Sequence, residues 1–231
     1  MERAHATGPI ESHEWPAKLT AHVVEAGGSP RIHGFDVQSD LARHYTATDV
    51  AFLALTSDLP VDAETSRALD VAMAFLAPVS VAEAPAHAAS LAQICGARPA
   101  GIVSVAAVAL AEQARVLYDE HAEIIPRLLI GSLNGSAATV AARDDEERAA
   151  VQRLRVALGT YARRVPALGY DLRLDTAILA VLLACGVRTR EQLEVVVTLA
   201  RLPAACAEAF EWKKGDLRAY PMDLPRFEYA R

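Results

Sequence analysis

Cysteine, aromatic side chains and positive charge are all scarce in this chain. Its 231 residues include three cysteines and 6% aromatic residues, and its 23 Lys and Arg face 29 Asp and Glu, for a formal net charge of −6. The cysteines, Cys95, Cys185 and Cys206, are far apart in apolar, helix-like surroundings, whereas structural zinc sites use closely spaced pairs such as C-x-x-C. We therefore expect three buried, reduced thiols and no metal site.

The acidic balance and the lack of long unbroken apolar runs exclude several kinds of partner. Nucleic-acid binding needs a basic face for the phosphates, and this chain has an excess of acid. Every long apolar stretch is cut by a charge, a Pro or a Gly before about 18 residues, so no membrane span is predicted. The first five residues, 1–5, do not have the pattern of a signal peptide. We expect a cytoplasmic protein that binds neither nucleic acid nor membrane.

The residues that are abundant indicate a helical protein. Hydrophobic residues make up 52% of the chain, and most are Ala, Leu and Val, of which Ala is the best intrinsic helix former. Residues 21–37 contain two short β-prone runs around Gly27 and Gly28, which predict a small hairpin. The fold class is therefore predicted to be all-α with a small N-terminal β-hairpin.

Composition also predicts where the domain begins and ends. Residues 1–20 are polar and irregular and are expected to form an arm, whereas residues 21–214 are expected to form a single helical domain. Residues 215–231 include three prolines or glycines and several aromatics, so an extended tail is predicted. Near the end of the domain, Thr189 is expected to cap a helix that runs through Arg201, and Pro203 to begin another.

Asp175 is a carboxylate at the start of a long apolar helix, which Gly186 is expected to end. Two interpretations of this acid are open. In the first it is an ordinary helix cap, since an Asp at a helix N-terminus accepts backbone N–H bonds and is favoured by the helix dipole. In the second it is a general base that works with a carboxylate-binding arginine, Arg201, on the next helix.

Two parts of the chain resemble the citrate synthase and citryl-CoA lyase superfamily. Residues 32–60 read IHGFDVQSDLARHYTATDVAFLALTSDLP, which is similar to the early family segment RGYDVxDLAxxxSFEEVAYLLLxGELP. Residues 174–187 and 198–211 read LDTAILAVLLACGV and TLARLPAACAEAFE, which are similar to NVDxxxAxxLxxLGxP and xxxARxxGxxAHxxE. The order and spacing of the motifs match the family, and the resemblance spans residues 21–229.

The resemblance implies an all-α fold and a dimer whose central helices pack across a two-fold axis. It also implies formation or cleavage of a carbon–carbon bond between an acyl-CoA enolate and a keto acid, with no cofactor other than the coenzyme A thioester as a substrate. Asp175 matches the family's catalytic aspartate, and Arg201 matches an arginine that binds the keto-acid carboxylate. Arg218 lies near the position of a second such arginine, which the family supplies across the dimer.

The chain departs from the family at its histidines. The family's GPxHGGA and GHxxYK loops have no counterpart in residues 107–121 and 131–160, and His121 is only a remote candidate for the enolate-binding histidine. The HExN motif aligns with residues 81–85, which contain no histidine. His87 follows a turn and a half later and is a candidate substrate ligand, although a histidine bonded to a carbonyl in the core or an interface is the commoner case. Glu208 and Glu211 are expected to form an ion pair with Arg201 or Lys214, and pairing with Arg201 would weaken its role in binding a substrate.

Three functions are therefore compatible with the sequence. The chain is a citrate-synthase-like or citryl-CoA-lyase-like enzyme built around Asp175, a catalytically degenerate subunit that pairs with or regulates an active homologue, or a module that binds a dicarboxylate or an acyl-CoA. Loss of one electrostatic stabiliser from an active site costs on the order of 10² to 10³ in rate. The expected partners are a second copy of the chain or an active homologue, together with a small carboxylic acid or an acyl-CoA.

Overall fold

The computed structural model describes residues 18–25, 27–133 and 140–214. Their contacts group into two compact units, one ending at Ser57 and one beginning at Asp58. Most of the predicted arm, all of the predicted tail and the candidate residue Arg218 lie outside the described residues. The predicted limits of the helical domain, 21–214, stay a prediction.

The first unit begins with a small antiparallel sheet. Strands β1 (Val24–Glu25), β2 (Arg31–Ile32) and β3 (Phe35–Asp36) pair in the order β1-β2-β3. The turn between β2 and β3 contains His33 and Gly34, both with positive φ (46° and 85°), as a tight two-residue hairpin turn requires. The small β-hairpin is thus confirmed, and it carries a third strand.

Helices complete the first unit. A π-helical turn (Val37–Leu41) leads into α1 (Ala42–His44) and then α2 (Ala47–Thr56). The Thr46 hydroxyl accepts the Asp49 N–H while the Asp49 side chain accepts the Thr46 N–H. This reciprocal capping box satisfies two backbone donors that the first turn would otherwise leave free.

All the regular secondary structure in the described residues of the second unit is helical, which confirms the all-α class. Its α-helices are, in chain order, α3 (Ala63–Leu76), α4 (Ala84–Ile94), α5 (Pro99–His121), α6 (Ile125–Ile130), α7 (Asp145–Leu158), α8 (Leu174–Cys185) and α9 (Arg190–Phe210). Two 3₁₀ segments, Gly159–Arg164 and Pro166–Gly169, connect α7 to the chain that leads into α8.

Helix α8 is the central element of the second unit. Its residues from Thr176 to Leu183 are all buried, and Cys185 is buried as well. It packs against α3, α6 and α7, because a helix that is apolar all round must be covered on every side. Gly186 ends it in the left-handed conformation, with φ of 113°.

Helices α4, α5 and α9 pack against one another through small side chains. The buried residues at their contact are Ala86, Ala89, Ile102, Ala106, Ala205, Cys206 and Ala209. Most of these residues are alanines, so the helix axes can approach closely. Van der Waals contact between backbones then supplies much of the packing.

The structure corrects two expectations of the sequence. Pro203 does not begin a helix, because α9 is continuous from Arg190 to Phe210 with Pro203 inside it. Pro203 is on the exposed side, while Ala200 and Ala205 on the other side are buried, so packing holds the helix together despite the lost N–H. Cys95 is exposed rather than buried, because it lies at the end of α4; Cys185 and Cys206 are buried as expected.

Helix α5 differs from the expectation that no segment is long and apolar enough to span a membrane. Among the described residues, Pro99–His121 is the one helix long and apolar enough to cross a membrane by length and composition, and 22% of its apolar window is buried. Ile102, Ala106, Leu110 and Ala114 recur every fourth residue and are buried, as a helix on a protein core requires. Its exposed side carries four valines, Val103, Val105, Val108 and Val116, together with the exposed Glu112–Arg115 ion pair.

The burial of the thiols predicts their reactivity. Burial raises the pKa of Cys185 from 9.0 to about 11, so its reactive thiolate should be rare at pH values near neutrality. We expect iodoacetamide to modify Cys95 in the native protein and to modify Cys185 and Cys206 only after unfolding in guanidinium, as mass spectrometry of the peptides would show. Equal rates for Cys95 and Cys185 in the native protein would contradict this burial.

Candidate functional site

Asp175 lies inside the first turn of α8 and does not cap it. The cap residue is Arg173, whose side chain makes no capping hydrogen bond. The Asp175 carboxylate accepts hydrogen bonds from the Thr176 backbone N–H at 2.6 Å, from the Thr176 hydroxyl at 3.0 Å and from the Arg173 guanidinium. Its side chain is 32% exposed. The acid is therefore held in a fixed orientation and still meets solvent.

A buried histidine lies behind this carboxylate. His121, the last residue of α5, is 3% exposed, and Thr176 is fully buried. The Nε2 atom of His121 is 2.8 Å from the Thr176 Oγ1 atom, and its Nδ1 atom is 2.8 Å from the Leu117 carbonyl oxygen. Asp175, Thr176 and His121 thus form a hydrogen-bonded chain that joins the start of α8 to the end of α5.

Backbone contacts fix the position of this end of α8. The Arg173 N–H donates to the Val140 carbonyl at 2.7 Å. The Glu147 carboxylate accepts the Arg143 N–H at 2.8 Å and the Leu174 N–H at 3.3 Å. Because the first N–H groups of a helix lack partners within it, these contacts anchor the turn that carries Asp175.

Arg201 belongs to a different polar cluster. Its guanidinium donates to Gln113 Oε1 at 2.9 Å, to Glu83 Oε2 at 2.6 Å and to the Pro78 carbonyl at 3.1 Å. Its side chain is 15% exposed, and its buried Nε atom has no partner among the described residues. An acid does neutralise Arg201, but it is Glu83 from the start of α4 rather than the expected Glu208 or Glu211.

The environment of Glu83 shows how firmly this pair is held. Burial raises the pKa of the Glu83 carboxyl, but hydrogen bonds from the Ser80 backbone and from Arg201, together with the charge of Arg201, outweigh that effect. The pKa of Glu83 therefore lies below its ordinary value. The carboxylate stays ionised at neutral pH and occupies the arginine that a substrate carboxylate would need.

The structure does not bring Asp175 and Arg201 into contact. Arg201 reaches Gln113 and Asp175 reaches His121 through Thr176, and both of these partners lie on α5. Eight residues separate them along that helix, which corresponds to roughly 12 Å of rise. The two predicted site residues therefore occupy separate places along one helix.

A cavity of about 690 Å³ lies beside Glu83 and is acidic. Its lining residues are Pro78, Val79, Ser80, Glu83, Ala204, Ala207, Glu208 and Glu211. Three carboxylates line it, and Arg201 balances the charge of one of them, Glu83. Among the described residues no cationic side chain lines it, so Glu208 and Glu211 disfavour a dicarboxylate ligand electrostatically. A second cavity, of about 310 Å³, lies between α7 and residues 169–172 and includes Arg148 and Arg155.

The remaining candidates are placed apart from both clusters. His87 is exposed on α4, where its N–H donates to the Glu83 carbonyl at 2.9 Å. It lines neither of these cavities, and its exposure also argues against the core role considered for it. Arg218 lies outside the described residues. In the described ranges, no three His, Cys, Asp or Glu side chains are grouped as metal ligands would be.

Several residues of these clusters carried no sequence signal. Thr176 follows Asp175 in an apolar run, and Glu83 and Gln113 occupy unremarkable positions in their helices. His121 was visible, but only as a remote candidate for a different position. One sequence feature did point to this cluster: Asp175, the neighbour of Thr176, aligns with the family's aspartate.

Comparison with solved structures identifies the fold. The chain superposes on the structure of citryl-CoA lyase from Hydrogenobacter thermophilus with a TM-score of 0.66 and 16% identity, covering 92% of this chain and 96% of that one. It also superposes on ATP citrate lyase from Methanothrix soehngenii, in complex with citrate and coenzyme A, with a TM-score of 0.60 and 14% identity. A mutant Methanosaeta concilii ATP citrate lyase in complex with (3S)-citryl-CoA gives a TM-score of 0.58 and 14% identity.

These likenesses establish the fold. The match covers 96% of this chain but 43% of each ATP citrate lyase, so the chain spans less than half the length of those proteins. No protein-family model and no curated protein sequence matches the chain. At the level of the fold, these likenesses confirm the resemblance seen in the sequence.

The Glu83–Arg201 pair predicts a pH-dependent loss of stability on mutation. Glu83→Gln should lower the free energy of unfolding by about 1–3 kcal/mol at pH 7, because it leaves a largely covered guanidinium without its anion. The pKa of Glu83 is lowered from 4.5, so the stabilisation is present above pH 4.5 and is lost as the pH falls through the folded-state value. Urea unfolding at pH 7 and pH 3 would measure both effects.

Glu208→Gln is the matched control for this experiment. Glu208 lines the same cavity as Glu83 and has no hydrogen bond or ion pair among the described residues. Its substitution should change the free energy of unfolding by less than about 0.5 kcal/mol. Equal stabilities of Glu83→Gln and the unmodified protein at pH 7 would show that the pair contributes nothing.

Proposed function

We propose that this protein forms or cleaves a carbon–carbon bond between an acyl-CoA and a keto acid, with Asp175 as the group that exchanges the α-proton. One observation carries the proposal: in a chain whose fold is like that of citryl-CoA lyase, a partly exposed, firmly oriented carboxylate lies at the start of α8. The match covers nearly the whole length of both chains. The whole architecture of a compact lyase is therefore available.

The chemistry of Asp175 follows from its geometry. In the direction of synthesis the carboxylate takes a proton from the α-carbon of the thioester, and the C–H electron pair becomes the enolate. The enolate carbon attacks the keto carbon, whose oxygen takes up a proton. In cleavage the hydroxyl loses its proton, the C–C pair returns to the thioester enolate, and Asp175, as the carboxylic acid, protonates the α-carbon.

Arg173 and Thr176 support this role. They hold both carboxylate oxygens of Asp175, so the acid needs little reorganisation when it meets a substrate. The described residues place no glycine-flanked histidine beside it to stabilise the enolate. Since each such stabiliser contributes on the order of 10² to 10³ in rate, we expect turnover far slower than that of an enzyme with the complete histidine set.

A second candidate is a non-catalytic subunit that pairs with or regulates an active homologue. The contacts of Arg201 favour it, because Glu83, Gln113 and Pro78 already occupy both terminal nitrogens of its guanidinium. A substrate carboxylate would have to displace Glu83 from it. A simple dicarboxylate-binding module is less well supported, because the cavity beside Glu83 is lined by three carboxylates.

We also propose that the exposed face of α5 binds a second copy of the chain. Its exposed apolar residues are Val103, Val105, Val108 and Val116, and the neighbouring helix α9 adds Val195 and Leu199. A helix this apolar and so little buried leaves surface that a monomer would normally cover. A symmetric dimer would bury the same patch from both copies, as the resemblance to dimeric proteins implies.

The catalytic proposal predicts turnover that depends on Asp175. The pure protein, given citryl-CoA or acetyl-CoA with oxaloacetate, should show slow turnover, and Asp175→Asn should reduce it by at least about 100-fold because the group that exchanges the proton is lost. Formation or consumption of oxaloacetate would be followed, because the thioester itself stays intact in this reaction. Asp171→Asn, an exposed acid bonded to Arg148, is the matched control and should retain full activity.

The outcome separates the two candidate functions. Absence of turnover by the pure protein, with activity or regulation only in the presence of a co-purifying homologue, would establish the non-catalytic subunit. Turnover that is unchanged in Asp175→Asn would remove Asp175 from the mechanism.

The dimer proposal predicts a change of mass on a single substitution. Light scattering should give twice the 24.7 kDa of the chain for the unmodified protein and a single chain for Val108→Asp, because a buried unpaired charge at the centre of the patch opposes association. Val61→Asp, at an exposed valine before α3, should remain dimeric. A monomeric protein that floats with lipid vesicles would instead show that a membrane covers this face.

A further inference from the structure

The Thr176 hydroxyl lies between two groups that can both take its proton. Its oxygen is 3.0 Å from Asp175 Oδ1 and 2.8 Å from His121 Nε2. A hydroxyl has one proton to donate and two lone pairs to accept with. Thr176 can therefore donate to Asp175 or to His121, but not to both at once.

The other ring nitrogen of His121 limits the choices further. Its Nδ1 atom faces the Leu117 carbonyl oxygen at 2.8 Å, and a carbonyl can only accept. Nδ1 must therefore carry a proton, and Nε2 alone is free to be protonated or not. Neutral His121 consequently accepts the Thr176 proton at Nε2, whereas doubly protonated His121 donates from Nε2 to Thr176.

The protonation of His121 and that of Asp175 are thereby coupled. When the histidine carries both protons, the Thr176 hydroxyl donates to an Asp175 carboxylate. When the histidine is neutral, the hydroxyl donates to it, and a protonated Asp175 Oδ1 can donate to Thr176 in turn. The two arrangements contain the same number of protons: one Asp175 O–H bond breaks, Thr176 gains one proton and gives up another, and one His121 Nε2–H bond forms.

We propose that His121 is a positioning residue for Asp175 and acts on it through the Thr176 hydroxyl. The three groups form a relay in which the buried His121 stores the proton that Asp175 exchanges. The catalytic part of this role rests on the proposed function. The relay itself rests on the hydrogen bonds that join Leu117 to His121, His121 to Thr176 and Thr176 to Asp175. Storage of the proton on His121 returns Asp175 to the carboxylate without releasing the proton to solvent.

The burial of the hydrogen-bonded groups Thr176 and His121 indicates that they do more than fill space in the core. His121 is 3% exposed and Thr176 is fully buried, and a buried polar pair costs free energy unless each member finds its partner. The Thr176 hydroxyl lies between two titratable side chains. Arg173, on the far oxygen of Asp175, and Glu147, which accepts the Leu174 N–H, are charged groups that contact this turn.

Nitrogen-15 NMR of the histidine ring tests the relay without any substrate. His121 is assigned by comparison with His121→Gln, and exposed His87 serves as the internal reference. At a fixed pH where both forms of His121 are populated, Asp175→Asn should lower the ratio of doubly protonated to neutral ring about tenfold, because the cation loses a charge-assisted partner. The reference histidine should not change.

The same measurement in a Thr176→Val background shows whether the hydroxyl transmits the effect. Valine keeps the shape of threonine without the hydroxyl, so Asp175→Asn should there change the His121 ratio by less than about twofold. Thr176→Ser, which keeps the hydroxyl, should restore the coupling. The relay would be overturned if Asp175→Asn left the ratio of doubly protonated to neutral His121 unchanged. It would also be overturned if Asp175→Asn changed that ratio equally in the Thr176→Val background.

Turnover measurements separate this inference from the proposed function. If the protein is active, Thr176→Val should change the pH profile of kcat and Thr176→Ser should restore it. Coupled NMR shifts without turnover would uphold the relay and refute the catalytic function. Turnover with uncoupled shifts would uphold the function and refute the relay.

Discussion

The burial of α8 from Thr176 to Leu183 is the constraint on which the second unit depends. A helix that is apolar on every side must be enclosed, and α3, α6 and α7 enclose it. Its polar side chains, Asp175 and Thr176, lie together at its start. Because buried polar groups need partners, the packing that covers α8 must also supply donors and acceptors at that end. Arg173 and His121 meet this requirement, so the core helix and the candidate site are parts of one arrangement.

Arg201 also needs hydrogen-bond partners, but meeting that need leaves its guanidinium occupied rather than available to a ligand. A guanidinium that is only 15% exposed needs acceptors, and Glu83, Gln113 and Pro78 provide them. The contacts that make the buried charge tolerable also take up the groups that would hold a substrate carboxylate. Asp175 keeps an exposed edge, whereas the terminal nitrogens of Arg201 are taken up by contacts within the fold. This contrast is why both a slow enzyme and a non-catalytic subunit are proposed for this chain.

Local structure was predicted well from the sequence because its causes lie within a few residues. Thr189 caps α9 and Gly186 ends α8 as expected, since each depends on backbone groups of the same turn. Pro203 was misplaced because its local preference is weaker than the packing of the alanines on the inner side of α9. Cys95 was misplaced because exposure at the end of α4 depends on where neighbouring helices lie, which apolar composition does not reveal.

The sequence by itself determined the helical class and the small N-terminal sheet, because composition, periodicity and turn residues act over short stretches of the chain. Only the tertiary structure decided which groups these residues meet. Arg201 pairs with Glu83 across 118 positions of sequence rather than with nearby Glu208, and His121 meets Thr176 across 55 positions. Such pairs depend on how whole helices pack, so they cannot be predicted from the residues next to each partner in the sequence.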